Sequence, residues 1–201
     1  MLRVGLTGGL ASGKSFVGRT LRDLGCHLIQ ADELGHAVLL PGGEAYDAVV
    51  AEFGRGILDE TGAVDRRKLA ALVFANAERL SVLNGLVHPA VIRREEQLLE
   101  DAASIDPRGI AVVEAAILIE TGSFRRFDRL ILVVCTREQQ ISRSMSRDGC
   151  TREEVEARLR RQMPLEEKRK YADFIVDTSG TKENTVQQVR EVYAALRSIE
   201  R

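Results

Sequence analysis

Eight residues near the start of the chain, GGLASGKS at 8–15, have the spacing of a phosphate-cradling loop: Gly8, four free positions, then Gly13, Lys14 and Ser15. Gly8, Gly9 and Gly13 let the backbone turn with positive φ and approach phosphate oxygens with no Cβ in the way. The N–H groups running through Ala11, Ser12 and Gly13 into Lys14, Ser15 and Phe16, with the helix N-terminus behind them, supply partial positive charge to an anion. In such a loop the lysine, Lys14, reaches the β- and γ-phosphates of a nucleoside triphosphate, and the Ser15 hydroxyl ligates Mg²⁺. The motif requires a strand before it and a helix after it. LRVGLT at 2–7 is β-rich, and Val17, Leu21 and Leu24 recur at helical spacing up to Gly25, a helix stop.

A phosphate loop does not name a reaction. GTPases of this kind carry an NKxD-type guanine reader, and the chain has none. Large ATPases are longer. With 201 residues the chain has room for one or two domains and a real core, which favours a kinase of small molecules. A net charge of −1 and 4% aromatic residues argue against a nucleic-acid-coating surface with basic–aromatic interleaving. His27, His36 and His88 are too scattered for a metal triad, and Cys26, Cys135 and Cys150 have no metal-ligand spacing. The scattered cysteines, the absence of a targeting leader and the lack of a membrane-length apolar run predict a cytoplasmic protein with no membrane association.

The remaining elements follow from periodicity. HLIQ at 27–30, IAVVE at 110–114, RLILVV at 129–134 and FIVD at 174–177 read as further strands, and the stretches between them as helical. Thr136 with Gln139, and Thr151 with Glu154, have the spacing of capping boxes. Val186, Val189, Tyr193 and Leu196 make one face of a closing helix. The pattern predicts an α/β fold of the P-loop NTPase type: a parallel five-stranded sheet flanked by helices, with a helical substrate-binding insertion and a helical lid. Residues 1–33, 109–136 and 171–201 form its core, 34–108 the insertion and 137–170 the lid.

Two further groups have chemistry to offer. Asp32 follows the second strand, on the side expected to face the phosphate loop. It can accept a proton from an attacking hydroxyl, orient it, or cap the next helix. Between Arg137 and Lys170 there are ten Lys and Arg against seven Asp and Glu. Arg143 and Arg147 share a helix face, as do Arg158 and Gln162. Arginines there can close over phosphates or lie on a solvated face. The acceptor stays open on these grounds: a nucleoside monophosphate or another small alcohol fits, as does a nucleotide-dependent switch with no acceptor at all.

The full series TGGLASGKS, ADELGHAV, LNGLVHPAV, EAAILIETG, RLRRQMP and ADFIVDTSGT, in order and spanning essentially the whole chain, resembles the dephospho-coenzyme A kinase family. The resemblance implies transfer of the ATP γ-phosphate to the ribose 3′-hydroxyl of dephospho-coenzyme A, the last step of coenzyme A synthesis. It makes Asp32 the base or orienting carboxylate, places His88 and Pro89 in the substrate region, and makes Arg147 the lid arginine over the ATP phosphates. Lys14, Asp32 and Arg147 are then the catalytic set. Glu114 contacts substrate or, through water, Mg²⁺. The partner is the small-molecule substrate, and the expected assembly is a monomer or weak homo-oligomer. The sequence departs from the commoner bacterial pattern at three points. Glu114-Ala115-Ala116 stands where Asp, one residue and Pro are common, Thr178 replaces an Asn after Asp177, and Phe16 replaces a Thr.

Overall fold

A computed structural model describes residues 1–74 and 76–199. Five strands, β1 (Leu2–Gly8), β2 (His27–Gln30), β3 (Ile110–Glu114), β4 (Arg129–Val134) and β5 (Phe174–Asp177), form one sheet in the order β2-β3-β1-β4-β5. β1 runs parallel to both its neighbours: Leu6 lies opposite Glu114 of β3 and Ile131 of β4, and Gly8 opposite Val133. β4 and β5 are also parallel. Every residue of β3 is buried, as expected for a strand covered on both faces. Chain order reverses at β1: β3 flanks it on one side and β4 on the other, and such a switch point opens a ligand crevice at the carboxyl ends of the strands.

By its internal contacts the chain divides into two compact units, Met1–Ile29 with Asp101–Arg201, and Gln30–Glu100. In the first, α1 (Lys14–Asp23) and α9 (Lys182–Arg197) pack on the sheet. Val17 and Leu21 of α1, Val4 and Leu6 of β1, Ile131 and Val133 of β4, and Val189 and Leu196 of α9 share one apolar cluster. Each such side chain contributes roughly 1.5–3 kcal/mol on leaving water. The buried face of α9 is Thr185, Val189, Val192 and Leu196. Val186 and Tyr193, expected on that face, are its half-buried shoulders. Both stripes have helical spacing, and packing selected the one a fraction of a turn over. Cys26 is buried here, and desolvation pushes its thiol up to about 12, so it stays protonated.

The same unit holds α6 (Arg137–Asp148), α7 (Arg152–Leu159) and the single turn α8 (Leu165–Lys168). Thr136 caps α6 and Thr151 caps α7, each in a full capping box with Gln139 and Glu154. Gly149 ends α6 in the left-handed conformation at φ 65. Lys168 is fully buried: its ammonium lies 2.7 Å from Glu120 Oε1 and donates to the Ala116 carbonyl at 3.3 Å. That carbonyl also accepts from the Thr7 hydroxyl, so the turn after β3 is tied to both β1 and α8. Lys168→Met should strand the Glu120 carboxylate and lower stability by about 3 kcal/mol. Adding Glu120→Gln should recover part of that loss in urea unfolding.

The second unit contains α2 (Ala31–Ala37), α3 (Tyr46–Phe53), α4 (Arg66–Phe74) and most of α5 (Ala77–Ile105). Val38, Val49, Phe53, Ile57, Leu69, Val73 and Ala90 form its own core. The helical reading of this region holds, with α5 running 29 residues through Pro89. Among the described residues, no helix is long and apolar enough to cross a membrane.

Candidate active site

The phosphate loop leaves β1 at Gly8 and enters α1 at Lys14, with Gly13 at the N-cap position and φ 92. No side chain caps α1, and its first N–H groups precede any intrahelical acceptor. Ala11 is the one non-glycine residue with positive φ among the described residues, at 49°. For an L-residue this costs roughly 1–2 kcal/mol. The glycines are dictated by space. A Cβ on Gly8 would stand 2.5 Å from the Val133 carbonyl oxygen, and one on Gly9 2.3 Å from Gln140 Nε2. Because the obstacle at Gly8 is backbone, Gly8→Ala should destabilise the protein by about 1–3 kcal/mol, seen as a lower melting temperature.

Lys14 Nζ donates to the Gly9 carbonyl at 2.9 Å, so the ammonium lies folded over the loop it serves. Ser15 Oγ donates to Glu114 Oε1 at 2.7 Å. Glu114 ends β3, directly beside β1, and is buried. Its other oxygen lies close against α1, where a Cβ on Gly18 would stand 3.1 Å from Oε2. A hydroxyl and a carboxylate in contact are hard oxygen donors of the kind Mg²⁺ takes. Phe16 is half-buried, and its N–H closes the first turn of α1 onto the Gly13 carbonyl.

The opposite wall comes from β5 and α6. The Thr178 hydroxyl, just past β5, donates to the Ser12 carbonyl at 2.7 Å. It accepts in turn from Arg143 Nη1 at 3.0 Å, while Arg143 Nη2 bonds the Thr178 carbonyl at 2.7 Å. Arg143 is therefore anchored to the sheet and not part of a solvated face. Arg147, one turn on, makes a two-pronged pair with the neighbouring Asp148 at 2.7 and 3.0 Å and remains largely exposed. That bonding raises the Arg147 pKa further and lowers that of Asp148, so both stay charged. Arg158 reaches the same carboxylate at 3.2 Å. Cys135, beyond β4, has its thiol pKa raised by burial, with Arg143 opposing.

Asp32 and His88 belong to the second unit. Asp32 is exposed in the first turn of α2, where Gln30 holds the N-cap position with no side-chain cap bond. The capping role open to Asp32 in the sequence is not realised, because the helix starts one residue before it. His88 is half-buried on α5, next to Pro89.

Sequence reasoning missed three contributors: Gln140, Gln162 and the hydroxyl of Thr178. Leu10 N–H donates to Gln162 Oε1, and the Leu10 carbonyl accepts from Gln140 Nε2, both at 2.9 Å. Thr178 stood out in the sequence only as a replacement for the common Asn, and the helix face expected to join Arg158 to Gln162 does not form, because α7 ends at Leu159 and Gln162 lies in the turn beyond it.

A parallel sheet in this order, with a phosphate loop leaving its central strand and a carboxylate ending the next one, defines a P-loop nucleotide-binding fold. A family model described as dephospho-CoA kinase matches residues 2–184. The dephospho-CoA kinase of Aquifex aeolicus is 40% identical over 196 residues, 98% of each chain. A crystal structure from Thermus thermophilus superposes with a TM-score of 0.79 at 35% identity, covering 97% of each chain. Dephospho-CoA kinase from Campylobacter jejuni superposes with a TM-score of 0.71 at 26% identity, covering 97% of this chain and 96% of that one. The chain belongs to the dephospho-CoA kinase family.

Proposed function

We propose that this protein uses ATP to phosphorylate the ribose 3′-hydroxyl of dephospho-CoA, giving CoA and ADP. The observation that carries the acceptor is the family match across residues 2–184, since the loop alone serves many acceptors. The loop's own geometry supports the donor site. In-line transfer of a phosphoryl group is mostly positioning and charge stabilisation. On this reading the loop amides and Lys14 hold the β- and γ-phosphates, and Asp32 orients the acceptor hydroxyl and takes its proton. Arg147 exchanges Asp148 for phosphate oxygens, and His88 contributes to the acceptor pocket. Ser15 and Glu114 would hold Mg²⁺, which when bound neutralises charge on the phosphate oxygens. Segment 137–170 acts as the lid, residues 34–108 bind the acceptor and the rest forms the nucleotide-binding core. Exclusion of water by a closed lid protects ATP from hydrolysis.

ADP release measured with dephospho-CoA, AMP and shikimate in parallel tests the acceptor. Dephospho-CoA should be preferred by at least about 10³-fold in kcat/KM, roughly a 4 kcal/mol discrimination. Equal turnover of AMP or shikimate would overturn the assignment.

A further inference from the structure

Between Gly8 and Lys14 the loop belongs to no strand or helix, so its curvature must be imposed from outside. Its internal bonds are few: Ser12 N–H reaches the Gly9 carbonyl at 3.3 Å, and Lys14 caps the same oxygen. Within the loop, both the N–H and the carbonyl of Leu10 are taken by side chains from segment 137–170. Gln162 Oε1 accepts its N–H and Gln140 Nε2 donates to its carbonyl, each at 2.9 Å. Ala11, the next residue, is the one held at a φ of 49°. Strain of that kind persists only where the surroundings over-determine it.

We infer that Gln140 and Gln162 are positioning residues: by clamping the two faces of Leu10 they hold the phosphate loop in its anion-binding curvature and tie that curvature to the helical segment 137–170. Gln140 lies buried in the first turn of α6, fixed by the Thr136 cap. Gln162 lies half-buried in the turn after α7. Bending Gly9 into the same contact requires the missing Cβ, since Gln140 Nε2 occupies its place. The clamp also sets the shape of the nucleotide site before nucleotide arrives, so part of the ordering cost of binding is met in advance.

The inference rests on the nucleotide reading of the loop but not on the acceptor. Its test uses the full-length protein and a non-hydrolysable ATP analogue, adenylyl imidodiphosphate, titrated calorimetrically with Mg²⁺. Gln162→Met keeps the side chain's length and removes the acceptor. It should weaken analogue binding about tenfold, the worth of one well-placed hydrogen bond. The same variant should speed hydrogen exchange of the Leu10 amide about tenfold or more, leave the KM for dephospho-CoA unchanged, and shift the melting temperature by no more than about 2 °C. Gln140→Met should weaken analogue binding in the same way; if it fails to fold, the result with Gln162→Met is decisive by itself. Unchanged analogue affinity in Gln162→Met overturns the proposal. So does unchanged Leu10 exchange, because the effect would not pass through the clamp. A wild-type protein that binds the analogue but ignores dephospho-CoA overturns the acceptor assignment alone.

Discussion

Lys14→Ala is expected to lower kcat/KM by at least about 10³-fold, which corresponds to roughly 4 kcal/mol of lost transition-state stabilisation. The ammonium is the one charged side chain within the loop, and it already sits over the Gly9 carbonyl at 2.9 Å. In the proposed transfer, charge that develops on the β–γ bridging oxygen and the transferred group would fall beside it, where no amide can substitute for a full positive charge. Folding should survive. Lys14 is half-buried at the start of α1, and alanine is a good helix former there. Circular dichroism and melting should match wild type. Near-normal turnover by a folded Lys14→Ala protein would contradict the role given to the loop.

Asp32→Asn is expected to depress kcat by about 10²–10⁴-fold with little change in ATP-analogue affinity, the range for losing one proton-transfer group. Asparagine keeps the shape of the side chain but cannot take the proton of an attacking hydroxyl. The structural cost should be small. Asp32 is exposed, makes no capping bond, and loses only a first-turn charge worth about 0.3–1 kcal/mol at the helix N-terminus. The measurement is a steady-state rate with both substrates saturating, next to a thermal melt. A kcat within about threefold of wild type would remove Asp32 from the chemistry. A collapse in melting temperature would make the residue structural.

How much of this the sequence disclosed depends on how local the cause is. The phosphate loop was legible because Gly8, Gly13, Lys14 and Ser15 must follow one another at fixed spacing. The strands were legible from short β-branched runs, and the boxes at Thr136 and Thr151 because cap and partner lie three residues apart. Asp32 shows the limit of local reading. Its residue type suits an N-cap, but the helix begins at Ala31 and leaves that place to Gln30. The α9 stripe lies a fraction of a turn from the expected one: Thr185 and Val192 are buried with Val189 and Leu196, and Val186 and Tyr193 lie on the shoulder, because helical spacing alone allows either stripe. The contacts that shape the loop from outside were not legible at all. Thr178 meets Ser12 across 166 residues, Gln162 meets Leu10 across 152 and Gln140 meets Leu10 across 130. No periodicity signals such a pair. The replacement of a common Asn by Thr178 was visible, but its consequence, a hydroxyl joining Arg143 to the loop, needed the fold.

The most direct measurement is the site of phosphorylation on the product. Dephospho-CoA incubated with ATP, Mg²⁺ and this protein should yield a single new phosphomonoester, with ³¹P coupled to the ribose H3′ proton in a two-dimensional spectrum and one ADP formed per phosphate transferred. A phosphate that correlates with any other carbon-bound proton, or that appears only as free inorganic phosphate, would contradict the proposed transfer to the 3′-hydroxyl.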